Sequence, residues 1–205
     1  VIGATGVLGC SGGNQRGAHV YMRGEGSWDH ETTLQYGDSN GKWVACDGTN
    51  VVSWCSATGP NSTFDYLRIW KWNGSSFTSD GSISSGSNWG YDIYFPAGME
   101  IDAGVIAFGT CDGFWGCLSN TTTNRTVYTV QKNGNSWSHW SPVPATIPSG
   151  YGSAGFGRNV VMGGGSILIG APAYGGSQGV AFEAPLANAL PCPADLNGDG
   201  EVNGA

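Results

Sequence analysis

Four short apolar segments recur along the chain about 50 to 60 residues apart: Val1-Ile-Gly-Ala4, Val51-Val-Ser-Trp-Cys55, Val105-Ile-Ala-Phe-Gly109 and Ile167-Leu-Ile-Gly-Ala-Pro172. Each is followed by a loop of Gly, Ser, Asn or Cys and then by an alternating segment: Ala18-His-Val-Tyr-Met-Arg23, Tyr66-Leu-Arg-Ile-Trp-Lys-Trp72, Thr126-Val-Tyr-Thr-Val-Gln131 and Gly179-Val-Ala-Phe-Glu183. A period of two marks these as strands, and a recurrence of this length marks an array of stacked units.

Three of the alternating segments run into a glycine turn and then an aromatic: Gly24-Glu-Gly-Ser-Trp28, Asn73-Gly-Ser-Ser-Phe77 and Asn133-Gly-Asn-Ser-Trp137. Asn-Gly supplies the positive φ angles that a tight hairpin needs. The unit is therefore strand, turn, strand, loop, strand, glycine turn, strand, which is the plan of a propeller blade. With 36 glycines and 12% aromatic residues in 205, turns and aromatic strands dominate, and helical signals are nearly absent. The expected fold is all-β: a β-propeller-type array of four-stranded antiparallel blades over residues 1–190. Three to four units are visible, closed on themselves, part of a longer ring, or completed by another chain. Trp28, Trp70 and Trp72 are expected to pack between sheets.

The segment Gly155-Phe-Gly-Arg-Asn-Val-Val-Met-Gly-Gly-Gly-Ser-Ile-Leu-Ile-Gly-Ala-Pro172 resembles the FG-GAP repeat of integrin α-chain-type β-propellers and their bacterial relatives, with Phe156-Gly157 and Gly170-Ala171-Pro172 as the two signature ends. Residues 1–5 with 17–23 resemble the second half of such a repeat, and the two middle units keep the pattern without the letters. Many members of that family carry an Asp-x-Asp-x-Asp-Gly calcium loop between the first two strands of a blade. The matching turns here, Cys46-Asp-Gly-Thr-Asn50, Ile101-Asp-Ala-Gly104 and Gly163-Gly-Gly-Ser166, are short and poor in carboxylates.

Beyond Pro191-Cys-Pro193, residues 191–205 hold Asp195-Leu-Asn-Gly-Asp-Gly-Glu-Val-Asn203. Hard cations take oxygen ligands at alternating positions of a loop that turns at Gly. Asp195, Asn197 and Asp199 would then give side-chain oxygens, Glu201 its carbonyl and Asn203 a direct or water-mediated contact to calcium. The segment is similar to the first half of a type I dockerin, whose partner is a cohesin. That resemblance implies a truncated calcium module and a cohesin-like partner for the tail.

The net charge is −7, and the eight basic residues are scattered, which argues against a nucleic-acid partner. No apolar run is long enough to span a membrane. Val1 already opens a strand, so a mature or clipped product is the simplest account. Six cysteines in a Ser/Thr/Gly-rich chain favour disulfides and secretion. Cys46 and Cys55 flank the Asp47-Gly48 turn and could pair, Cys111 and Cys117 could close one loop, and Cys10 with Cys192 remain by elimination. Zinc competes as a reading, but neither CxxC nor HxxxH spacing occurs.

No catalytic constellation emerges. His19, His30 and His139 stand apart from any nucleophile signature and read as surface residues, while Glu31, Asp65, Asp92, Glu100 and Asp102 could supply a glycosidase pair. Trp89, Tyr91, Phe114 and Trp115 could stack on sugar rings as ligand contacts. Asn61, Asn73, Asn120 and Asn124 begin glycosylation sequons. The expected function is non-enzymatic extracellular binding or adhesion to a glycan or protein. A self-assembling extracellular subunit and a glycan-active hydrolase are the alternatives.

Overall fold

Successive side chains of a strand point to opposite faces, so a strand with apolar residues at consecutive positions must be covered on both sides. Val51-Val52 and Ile106-Ala107-Phe108 are such runs, and each divides its residues between two cores. The computed structural model describes residues 2–6, 17–34, 43–59, 62–84, 93–112, 126–138, 141–143, 155–172 and 178–186.

Among these, the chain forms four antiparallel sheets in sequence order. The first contains β1 (Ile2–Gly6), β2 (Ala18–Arg23) and β3 (Trp28–Leu34). The second contains β4 (Trp43–Cys46), β5 (Asn50–Gly59), β6 (Ser62–Trp72) and β7 (Phe77–Ser84). In the third, β8 (Ile93–Asp102), β9 (Val105–Asp112) and β10 (Val127–Asn133) are followed by β11 (Ser136–Trp137) and β12 (Ser141–Pro142). Both of these short strands pair with β10, at Lys132–Asn133 and at Tyr128–Thr129, and together make one interrupted outer strand. The fourth contains β13 (Asn159–Gly163), β14 (Ser166–Ala171) and β15 (Val180–Pro185). The fold is an all-β array of blade-like sheets, and the second and third show the four-strand order expected from the repeat.

Three clusters fill the spaces between neighbouring sheets. Ala18, Val20 and Leu34 meet Val51 and Trp70 between the first and second. Val52, Trp54, Leu67 and Ile69 meet Ile101, Ile106, Phe108 and Val130 between the second and third, with the Trp54 and Phe108 rings 6.0 Å apart. Ala107 and Val127 meet Phe156, Val160, Ile167 and Ile169 between the third and fourth. Asp80 of β7 adds a clasp between sheets: it pairs with Lys132 and accepts a 3.1 Å hydrogen bond from Trp137 Nε1.

One hydrogen bond recurs in three sheets. The amide at the end of the third strand donates to the carbonyl of the turn between the first two: Trp72 N to Thr49 O (2.8 Å), Lys132 N to Gly104 O (2.9 Å) and Leu186 N to Gly165 O (2.9 Å). The repeat is thus present in backbone geometry where the letters have diverged.

The Phe156-Gly157 and Gly170-Ala171 ends of the last unit meet physically. Gly157 N donates to Gly170 O at 3.0 Å, and Phe156 is buried edge-on to Phe182 with centroids 5.6 Å apart. Gly157, at φ +77°, lies so close to Gly109 that a Cβ added to Gly109 would come within 1.9 Å of Gly157 O. Backbone therefore packs on backbone between the third and fourth sheets.

Two expectations are corrected. Cys46 faces Val51 and Trp43 faces Trp54, so Cys55 falls beyond the far end of the β4–β5 ladder. Four residues of strand separate Cys55 from the partner of Cys46, about 13 Å at the usual rise. A disulfide needs Cα atoms within about 7 Å, so Cys46 and Cys55 do not pair. Trp28 is 50% exposed rather than packed between sheets. Its counterpart Phe77 packs on Trp72 in the cluster shared with the first sheet, whereas the face of the first sheet that bears Trp28 points away from its neighbour. Trp70 and Trp72 do pack between sheets. Cys10, Cys117 and Cys192 lie outside the described residues.

Gly109→Ala should lower stability by about 3 kcal/mol or more, since overpacking against backbone finds no side chain to yield. Gly163→Ala, where an added Cβ meets nothing within 4 Å, should change it by under about 0.5 kcal/mol. Urea unfolding of the two variants checks the contrast.

Candidate functional site

The turn ends of the β4–β5 and β8–β9 hairpins, with Met162 of β13, border a cleft of about 430 Å³, lined by Cys46, Asp47, Gly48, Glu100, Ile101, Asp102 and Met162. Each turn is tight for a local reason. Asp47 Oδ1 accepts hydrogen bonds from the amides of Thr49 (2.9 Å) and Asn50 (2.7 Å), and its Oδ2 accepts one from Asn50 Nδ2 (2.9 Å). Both carboxylate oxygens are engaged in holding the turn. Ala103 and Gly104 have φ of +45° and +79°, as a two-residue type I′ hairpin requires. Alanine is strained there, by about 1 kcal/mol.

Glu100 and Asp102, two apart on β8, project on the same side of the strand. Burial pushes the Glu100 carboxyl above the usual glutamate range; the Ile101 backbone opposes this by hydrogen bonding, and the nearby Asp102 charge adds to it. The cleft therefore combines an exposed carboxylate with a half-buried carboxyl that holds its proton to higher pH, a pairing able to donate and accept hydrogen bonds to a polyhydroxy ligand. Of the other carboxylates considered for hydrolysis, Glu31 is exposed on β3 in a different sheet, and the Asp65 and Asp92 side chains lie outside the described residues.

A second polar constellation, missed from sequence, occupies the face of the first sheet turned away from the second. His19 Nδ1, His30 Nε2 and Thr33 Oγ1 lie mutually within hydrogen-bonding distance, at 3.4 Å between the two nitrogens and 3.1 Å from each to the hydroxyl. The histidines stand eleven residues apart, so no spacing motif could signal them. Val20 pairs with Thr32 but Tyr21 pairs with His30, which leaves Glu31 bulged out and turns His30 to the side that carries His19 and Tyr21.

The expected ligand contacts Trp89, Tyr91, Phe114 and Trp115 lie outside the described residues, in the stretches between β7 and β8 and between β9 and β10. The expected calcium ligands Asp195, Asn197, Asp199, Glu201 and Asn203 also lie outside them.

The Glu100 carboxyl ties the stability of the fold to pH. The folded chain holds that proton more tightly than the unfolded chain, so the associated stability is fully present below the ordinary glutamate range and is lost as pH rises through the folded value. Glu100→Gln should therefore melt above the parent at about pH 7 and with it at about pH 3. Calorimetry at the two pH values checks this, and equal melting at both would assign the carboxyl no burial penalty.

Compared with known proteins, the sequence matches no family model, and no curated protein matches it.

Proposed function

We propose that this chain is a secreted, non-enzymatic binding or adhesion module built of FG-GAP-like blades, recognising a glycan or protein and tethered through a dockerin-like calcium loop. The observation that carries the blade reading is the junction at Gly157. The two ends of the FG…GAP segment are joined by the Gly157–Gly170 hydrogen bond, and Gly157 is pressed onto Gly109. The positive φ of Gly157 and its close approach to Gly109 give a physical reason for glycine at position 157. Binding is supported by the acidic cleft and by Trp28, a large exposed ring on the same sheet face as Tyr21. Aromatic faces fringed by hydrogen-bonding groups suit sugar rings. Trp89, Tyr91, Phe114 and Trp115 are the proposed loop contacts. The tail residues Asp195, Asn197, Asp199, Glu201 and Asn203 are the proposed calcium ligands, with a cohesin-like protein as their partner.

Assembly of several copies is the second reading, supported by Val161 and Leu168. These cross-strand partners are 55% and 48% exposed on the fourth sheet and form an apolar pair facing away from the core.

A glycan array and a panel of extracellular proteins, probed with the full chain, test the first reading. We expect binding to at least one class that falls about tenfold or more in Trp115→Ala or Trp28→Ala, in line with the loss of an aromatic anchor. Binding to neither panel, together with a concentration-dependent mass lost in Leu168→Lys, would favour assembly instead.

Calcium at the tail should barely touch the blades. The proposed ligands all fall within residues 195–203, beyond the last described strand, so chelation should leave the melting temperature of the blades nearly unchanged. A large drop on chelation would place a structural metal in the blade turns.

A further inference from the structure

We propose that the face of the first sheet turned away from the second is a transition-metal site, in which His19 Nδ1 and His30 Nε2 chelate a divalent ion of the zinc or copper class and Thr33 Oγ1 supplies a weaker third donor. The site draws on neither the blade family nor the calcium tail; three interatomic distances and a bulge define it.

A tetrahedral zinc about 2.1 Å from two imidazole nitrogens sets those nitrogens about 3.4 Å apart. His19 Nδ1 and His30 Nε2 are 3.4 Å apart, and Thr33 Oγ1 lies 3.1 Å from each. An ion placed about 2.1 Å from all three would stand about 1 Å off their plane, so one face of a coordination polyhedron is already assembled. Without metal, the three atoms are held by the hydroxyl proton and an imidazole N–H. A dication occupies the same position by accepting their lone pairs.

The arrangement is prebuilt. His19 and Thr33 are directly opposed across β2–β3, while His30 reaches the same face because Glu31 is bulged out. Removing the bulge would place Glu31 opposite Tyr21 and turn His30 to the other face. The edge of the His30 ring also packs against Tyr21, with centroids 5.3 Å apart at 71°, which restricts its rotation. Ligands fixed on paired strands lose little further freedom on binding.

Imidazole nitrogens select the ion. They suit zinc, copper and nickel, whereas calcium and magnesium require oxygen. Among the described residues no third His, Cys, Asp or Glu joins the pair, so water or a ligand's own donor completes the coordination. That leaves the site open, as in metal centres that bind exogenous groups rather than staple a fold. His30 is exposed, so the ion is reachable from solvent.

Zinc titration of the full chain by calorimetry, with calcium in excess to fill the tail, tests the proposal. We expect one saturable site, weakened about tenfold or more by His19→Ala and by His30→Ala singly, abolished in the double variant, and weakened less by Thr33→Val. His139→Ala should leave it unchanged. Copper bound to the parent should show nitrogen hyperfine splitting in its electron paramagnetic resonance spectrum, and the double variant should lose it. Circular dichroism establishes that each variant is folded, and His30→Gln replaces any alanine variant that is not. No saturable zinc binding by the parent, undiminished binding in the double variant, or loss in His139→Ala alone would each overturn the assignment.

Discussion

A strand that buries both its faces is what holds this array together. β5 gives Val51 to the cluster with the first sheet and Val52 and Trp54 to the cluster with the third. β9 likewise gives Ile106 and Phe108 to one neighbour and Ala107 to the other. Such strands cannot be stable in a solitary sheet, because half of their apolar surface would face water. Each sheet is thus completed by the next, and the backbone contact of Gly157 on Gly109 sets how closely the last pair can approach.

Stacking also explains why the ends differ from the middle. The second and third sheets are covered on both sides, and their third strands are apolar on alternate sides: Leu67 and Ile69 towards one neighbour, Trp70 towards the other. The corresponding strand of the first sheet is apolar on one side, with Ala18 and Val20, and carries His19 and Tyr21 on the other. Trp28 is exposed for the same reason that Phe77 is not. Polar chemistry collects where, among the described residues, no sheet is stacked, and the histidine pair occupies that place.

The array was legible in the sequence because its signals are local and periodic. Apolar runs at regular intervals, Asn-Gly turns and alternating segments identify strands and their order without knowledge of what they touch. The strand and turn letters between Asn159 and Ala171 were legible too, although the contact of Gly157 with Gly170 was not. Pairing across strands was harder to read. Cys46 and Cys55 flank a turn symmetrically in sequence, but the ladder begins at Cys46 with Val51, and Cys55 is carried past its end. The histidine pair was hidden by the bulge at Glu31, since strict alternation from Leu34 assigns His30 to the buried side with Thr32. Periodicity predicts a face only while the count of residues on both strands stays equal.

The recurring bond from the third-strand end to the first turn fixes one end of every sheet in which it occurs. At the opposite end, the connection from second to third strand runs from residues 60–61 in the second sheet to residues 113–126 in the third. Chain length can therefore change at that end without altering the register of any strand, because the closure entropy of a longer loop grows only slowly. The array works as a rack with one fixed rail: new sequence can be hung from the free side, unit by unit, while the tied side preserves the spacing of the sheets.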